Sequence, residues 1–192
     1  MKSNGKISRI LSIDGGGIRG IVPAVVLAHL EETLQQLSNN SDTRLADFFD
    51  LFAGTSTGSM IIAGLLTPNK HNRPAYSAKE IISLYFDNAD VIFQDSLLQD
   101  IKSVAGLLNV KYSPDGIESV FRQHFSDTEL KQLLKPTLIP VYDLTRGKNY
   151  FFRQQKAQVS ARHNYYLKDV LRSATSAITY FPPMQISTVD NA

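Results

Sequence analysis

At 192 residues, with a net charge of +2 and no cysteine, the chain has the length of one domain, spanning residues 1–192 around a single sizeable core. Scattered Lys and Arg exclude a nucleic-acid footprint, and the missing thiols exclude disulfides, thiol catalysis and thiolate metal sites. Residues 1–6 lack an apolar h-region and no run of about 18 apolar residues follows, so a soluble, cytoplasmic protein without Sec signal or membrane span is expected; export by another route would leave no such mark.

Residues 7–13 form a short β-rich run that ends at Asp14, and the cluster Gly15-Gly16-Gly17-Ile18-Arg19-Gly20 follows at once. Val22, Val26, Leu30, Leu34 and Leu37 then predict a helix that turns this stripe toward the core, with Pro23 admissible in its first turn. Phe49-Asp50-Leu51-Phe52-Ala53 reads as a buried strand, and residues 59–66 as a mostly apolar helix. Two strand-to-helix units in succession predict an α/β fold, a three-layer sandwich with a mainly parallel central sheet.

Ser77-Ala78-Lys79-Glu80 is a capping box ahead of a helix through Ile81, Leu84, Tyr85 and Ile92. Leu97, Leu98, Ile101, Val104, Leu107 and Leu108 make a further helical stripe, ended by a loop containing Ser113-Pro114-Asp115-Gly116. Ser126-Asp127-Thr128-Glu129 is a second capping box, expected to start a short helix that stops before Pro136. Residues 137–142 and 150–153 read as paired strands joined by a turn at 146–149, and residues 167–173 as a last helix.

The pentapeptide Gly54-Thr55-Ser56-Thr57-Gly58 stands between the second strand and its helix. A G-x-S-x-G turn in that context presents a serine hydroxyl for nucleophilic attack, and its glycines avoid collision with the neighbouring backbones; Ser56 is therefore the candidate nucleophile. Without that context the pattern would fit a serine capping a buried helix.

The glycine cluster formally matches a dinucleotide-binding loop, but residues 35–40 hold no second strand ending in an acidic residue, and the Lys-Ser/Thr of a P-loop is missing. Consecutive glycines at a helix N-terminus still converge backbone N–H groups on an anion. Beside a nucleophile, that anion can be the oxyanion of acyl transfer, with Gly16 and Gly17 as main donors and Gly15 and the Thr57 N–H as further ones. Arg19 is a candidate contact for an anion or head group, or equally a solvated first-turn arginine.

The four histidines, His29, His71, His124 and His163, stand in ordinary surface or part-buried contexts, so a carboxylate working directly on the serine is preferred over a triad. Asp14 with the glycine loop, the pentapeptide, and Ala174-Thr175-Ser176-Ala177-Ile178-Thr179-Tyr180-Phe181-Pro182-Pro183 follow one another in the order that resembles the patatin-like phospholipases. The resemblance covers essentially the whole chain. It implies a serine-aspartate dyad with Ser56 as nucleophile, the glycine loop as oxyanion hole, and hydrolysis of acyl esters of phospholipids or other lipids through an acyl-enzyme, with no metal or organic cofactor.

In that family the dyad aspartate stands in an Asp-Gly-Gly or Asp-Gly-Ala motif at a strand end well beyond the Phe-Pro-Pro block. Here Asp190, in Val189-Asp190-Asn191-Ala192, is the sole carboxylate after Pro183 and lacks the glycine. The expectation is a C-terminally truncated patatin-like domain whose base lies beyond Ala192, with Asp190 a weak candidate and Asp169 and Asp143 alternatives by proximity alone. The Leu97–Leu108 stripe, with Lys102 and Lys111 beside it, reads as core packing in preference to a peripheral membrane contact. A nucleotide-binding module using the glycine loop, and a catalytically inert patatin-like scaffold that binds lipid or protein, are the rival readings.

Overall fold

A computed structural model describes residues 7–93, 114–125, 127–177 and 181–191. The first strand, β1 (Ile10–Ile13), leads through the glycine loop and a 3-10 turn (Gly17–Gly20) into α1 (Ile21–Ser38). That helix closes at Asn39, whose left-handed backbone (φ 49°) returns its N–H to the carbonyls of Gln35 and Gln36. The chain then forms β2 (Leu51–Gly54) and α2 (Thr57–Leu66), a helix apolar on all sides in which every residue but Met60 is buried.

β1 and β2 run parallel, with Ile10 opposite Leu51 and Ile13 opposite Gly54. Because the last residues of the two strands are partners, the glycine loop and the serine turn leave the sheet side by side at its carboxyl edge, where open α/β sheets place their sites. β3 (Thr137–Asp143) adds parallel to β2, and β4 (Lys148–Arg153) returns antiparallel across a turn in which Gly147 takes φ 63°. The order β1-β2-β3-β4 makes a mixed, mostly parallel sheet flanked by helices, an α/β fold as the alternation of elements predicts.

The remaining helices among the described residues are α3 (Ala78–Phe93), α4 (Asp115–Phe125), α5 (Gln154–Val159) and α6 (Leu167–Ala174). The cap ahead of α3 is reciprocal: the Ser77 N–H donates to Glu80 Oε2 at 2.7 Å, and the Glu80 N–H to Ser77 Oγ at 3.2 Å. The Ser77 N–H and the Ser77 hydroxyl, which also donates to Glu80 Oε2 at 2.7 Å, hold the Glu80 carboxyl below the usual range. Ile81 and Tyr85 of its stripe enter the core. The side chain of Ile92, the stripe Leu97 to Leu108 with Lys102 and Lys111, Ser126 and residues 178–180 lie outside the described residues.

Three expectations are corrected. On α1 the inward stripe is not Val22, Val26 and Leu37, which are 62%, 60% and 80% exposed, but Ala24, Leu27 and Glu31, with Leu30 and Leu34 part-buried beside it. Ala24, Leu27, Glu31 and Leu34 follow helical spacing, and the acid in their midst disguises the stripe in the sequence. Its carboxylate is not stranded: Glu31 accepts the Leu45 N–H at 3.1 Å and the Ala78 N–H at 2.9 Å, two donors at the starts of a 3-10 turn (Leu45–Asp47) and of α3.

The short helix expected from residues 126–129 starts later, with Glu129 as its cap. The 3-10 turn Leu130–Gln132 begins there, with the Glu129 N–H donating to Gln132 Oε1 at 2.7 Å. Glu129 stays extended, bridging Tyr166, while the Thr128 carbonyl beside it takes the Leu167 N–H. Asp115 and Gly116, expected in a loop, form the first turn of α4, with the Glu118 N–H bonded to the Pro114 carbonyl at 3.0 Å. The sequence also gives no sign of α5, where Gln154 and Ala157 alone are buried in a polar six-residue helix.

One anchor decides how the Phe-Pro-Pro block sits. Arg172 of α6, 3% exposed, pairs with Glu118 of α4 at 3.0 Å, donates to Ser176 Oγ and the Pro182 carbonyl at 2.5 and 3.2 Å, and lies 5.4 Å over the Phe181 ring.

Candidate active site

Ser56 occupies the turn between β2 and α2 with φ 48° and ψ −123°, a conformation that L-residues adopt only under constraint. The constraint comes from both sides. A Cβ on Gly54 would stand 2.6 Å from the Gly58 carbonyl oxygen and 2.8 Å from the Ser59 nitrogen, and one on Gly58 would run into the Ile13 carbonyl. Behind the serine, the Gly58 N–H closes on the Thr55 carbonyl at 2.8 Å and the Ser59 N–H on the Ser56 carbonyl at 2.9 Å, joined there by the Ser59 hydroxyl. α2 starts directly after Ser56, so the helix's positive end faces the serine.

The glycine loop stands against this turn. A Cβ on Gly15 would lie 2.7 Å from Ser56 Cβ and 2.8 Å from the Thr55 carbonyl, so a side chain here would displace one loop or the other. Two hydrogen bonds tie the loops together: the Gly15 N–H donates to Thr55 Oγ1 at 2.7 Å, and the Gly16 N–H to Thr57 Oγ1 at 3.1 Å. Gly17 carries a left-handed backbone (φ 58°) with open space around its Cα. Arg19 is exposed, and its Nε reaches back to the Gly16 carbonyl at 3.4 Å.

The pentapeptide and the glycine loop are thus brought together, whereas the carboxylates and histidines named from the sequence are not joined to them by any hydrogen bond or ion pair among the described residues. His124 Nδ1 shares a hydrogen bond with the Tyr76 hydroxyl at 3.2 Å, and burial lowers its pKa. His163 Nδ1 is paired likewise with Tyr150 at 3.3 Å. Asp143 is bound by the Arg146 N–H at 3.0 Å in the β3–β4 turn. Asp169 sits in the first turn of α6, where burial raises its carboxyl against the opposing pull of Lys168. Asp190 belongs to the 3-10 turn Val189–Asn191, fastened by the Val189 N–H to the Asn164 carbonyl at 3.0 Å. No group of three or more His, Asp or Glu among the described residues is arranged to hold a metal ion.

Two contributors escape a reading by motif. Tyr85 of α3, 6% exposed, donates its hydroxyl to the Thr57 carbonyl at 3.2 Å and props the first turn of α2. The threonine hydroxyls within the pentapeptide join the two loops, a role that the pattern G-x-S-x-G leaves open because it specifies neither residue. Beside the glycine loop, Leu11, Ile13, Val22, Pro23 and Val26 line an apolar cleft of about 460 Å³, with Asp14, Gly15, Gly16 and Arg19 along its rim. No helix among the described residues is long and apolar enough to cross a membrane.

A family model described as Patatin-like phospholipase matches residues 11–190. Patatin-17 of Solanum cardiophyllum is 38% identical over 179 residues, covering 93% of this chain and 44% of that protein. Patatin-like protein 4 of Arabidopsis thaliana is 36% identical over 186 residues, covering 97% of this chain and 46% of that one. A third relative, named Probable inactive patatin-3-Kuras 1, of Solanum tuberosum, is 37% identical over 184 residues, 96% of this chain and 47% of its own length. The chain spans a little under half the length of these curated relatives.

Proposed function

The chain belongs to the patatin-like phospholipase family, and on that premise we propose that it acts as a lipid acyl hydrolase with Ser56 as nucleophile. The observation that carries the reading is the conformation of Ser56 (φ 48°), held between two glycines with the glycine loop directly against it. A hydroxyl on such a turn stands clear of its own helix and strand and can meet an ester carbonyl.

Ser56 Oγ bonds to the carbonyl carbon while its proton passes to a carboxylate base, and the negative oxygen of the tetrahedral intermediate is met by the N–H groups of Gly17 and Thr57, those of Gly15 and Gly16, expected from the sequence as donors, being bonded to threonine hydroxyls. Collapse breaks the ester C–O bond, the leaving alcohol takes the proton, and an acyl-enzyme remains. Water then attacks it, giving its proton to the same carboxylate, and the fatty acid is released as the proton returns to Ser56. The apolar cleft beside the loop offers a place for the alkyl part of the substrate. The aspartate base is assigned to the length of the relatives that this chain does not span, and neither metal nor organic cofactor enters the scheme.

A fluorophosphonate probe tests the reading on the intact protein. It should label the wild type at Ser56 and leave Ser56→Ala unlabelled; equal labelling of both would overturn the assignment. Because one relative's name includes the words probable inactive, the counter-reading is an inert lipid-binding scaffold, and lipid binding with neither labelling nor ester turnover would favour it. Robust turnover by residues 1–192 alone would move the base inside this chain.

A further inference from the structure

We infer that the hydroxyls of Thr55 and Thr57 are positioning groups: each takes up one N–H of the glycine loop, sets the loop over Ser56, and leaves the Gly17 and Thr57 N–H groups free to meet an oxyanion. The inference rests on the acyl-hydrolase reading above and concerns residues to which the motif assigns no role.

An oxyanion hole needs backbone N–H groups that are fixed in place yet not satisfied by the protein itself. Several backbone donors around Ser56 already have acceptors, whereas those of Ile18 and of Ser56 itself have none among the described residues. The Gly15 N–H is spent on Thr55 Oγ1 at 2.7 Å and the Gly16 N–H on Thr57 Oγ1 at 3.1 Å. In the first turn of α2 the Gly58 and Ser59 N–H groups point back to the carbonyls of Thr55 and Ser56 at 2.8 and 2.9 Å. The N–H groups of Gly17 and Thr57 have no acceptor among the described residues. One belongs to the loop, the other to the residue after the nucleophile, and together they can approach one oxygen from two sides.

The loop cannot hold this position by itself. Glycines carry the largest backbone entropy of any residue, and three in succession have no side chains with which to pack. The tethers come instead from the two residues flanking the serine. Both are fixed in turn, Thr57 being buried with its carbonyl held by Tyr85, and Thr55 donating its own N–H to the Ile13 carbonyl at 3.2 Å. Movement of the nucleophile and movement of the oxyanion donors are thereby coupled through two hydroxyl groups. Gly15 makes the close fit sterically open, since any Cβ there would meet Ser56.

Valine keeps the shape of threonine and removes the hydroxyl, and serine restores it, so the test is made on the intact protein with Thr55→Val, Thr57→Val and the matching serine variants. Loss of one neutral hydrogen bond of ordinary strength predicts a fall in kcat of about tenfold in each valine variant, with KM within about twofold. The serine variants should recover most of it, and fluorophosphonate labelling of Ser56 should slow and recover in parallel. Valine variants that keep wild-type kcat while the wild type turns over ester would overturn the positioning role and leave the hydrolase reading intact. A wild type that neither turns over ester nor reacts with the probe would defeat the hydrolase reading instead. Amide hydrogen exchange then decides the tethers independently of activity. The Gly15 and Gly16 N–H groups should exchange more slowly than that of Gly17, Thr55→Val should speed Gly15, and Thr57→Val should speed Gly16; unchanged exchange in both variants would overturn the inference.

Discussion

The Tyr85 hydroxyl donates to the Thr57 carbonyl at 3.2 Å from a site where the ring is 6% exposed, fastening α3 to the turn that presents Ser56. Burial pushes the Tyr85 pKa up to about 12. Removing the hydroxyl in Tyr85→Phe should lower unfolding free energy by about 1 kcal/mol at neutral pH.

The same tyrosine predicts a pH dependence. Since its folded pKa lies above the unfolded value near 10, its contribution is complete below pH 10 and is lost as pH rises through about 12, because the unfolded chain ionises first. Urea unfolding from pH 8 to 11.5 should show wild-type stability falling more steeply than that of Tyr85→Phe above pH 10, by up to about 1.4 kcal/mol per pH unit. Parallel curves for the two proteins would count against a protonated, buried Tyr85.

Ser56 holds a backbone that favours glycine. Ser56→Gly should therefore be more stable than Ser56→Ala by about 1 kcal/mol, although both lack the hydroxyl and neither should hydrolyse ester. Thermal unfolding of the two variants side by side measures the difference. Equal stability would mean that the turn relaxes away from φ 48° when the serine is replaced.

On α1, neighbouring apolar residues should respond in opposite ways. Leu27, 5% exposed, is expected to lose about 2–5 kcal/mol on truncation to alanine, whereas Val26→Ala, at a position 60% exposed, should stay within about 0.5 kcal/mol of wild type. Denaturant midpoints at constant m-value report both. A large loss for Val26→Ala would restore the stripe expected from the sequence.

Arg172 anchors the Phe-Pro-Pro block through Glu118, Ser176, Pro182 and the Phe181 ring. Arg172→Ala should cost about 3 kcal/mol, because it removes a buried charge that four groups are arranged to meet. Limited proteolysis should then cut near Phe181 sooner than in wild type. Arg172→Lys should not restore protection, since an ammonium cannot reproduce the guanidinium's planar fork.

Much of the site is legible without coordinates because its requirements are local. Gly54, Gly58 and Ser56 are needed within five residues of one another, and strand, turn and helix each leave a pattern of apolar residues around them. The capping box at Ser77 and Glu80 is visible for the same reason. The inward face of α1 is not, because Glu31 looks like a solvent residue until Leu45 and Ala78, distant in sequence, supply the two N–H groups that its carboxylate accepts. The cap at Glu129 is hidden likewise by pairing with Tyr166, which keeps Glu129 extended.

The amino-acid sequence by itself determined the α/β alternation, the family and the candidate nucleophile, since each depends on residue types at short fixed spacings. Only the tertiary structure decided that Gly15 touches Ser56, that the Thr55 and Thr57 hydroxyls take up the Gly15 and Gly16 N–H groups, and that Tyr85 supports the turn. These contacts join segments roughly 30 to 40 residues apart, as in the 40 from Gly15 to Thr55 and the 28 from Thr57 to Tyr85. Such distances are closed only when β1 and β2 pair in register and α3 packs behind α2, because hydrogen bonds of this kind depend on where backbones meet and not on which residues are neighbours in the chain.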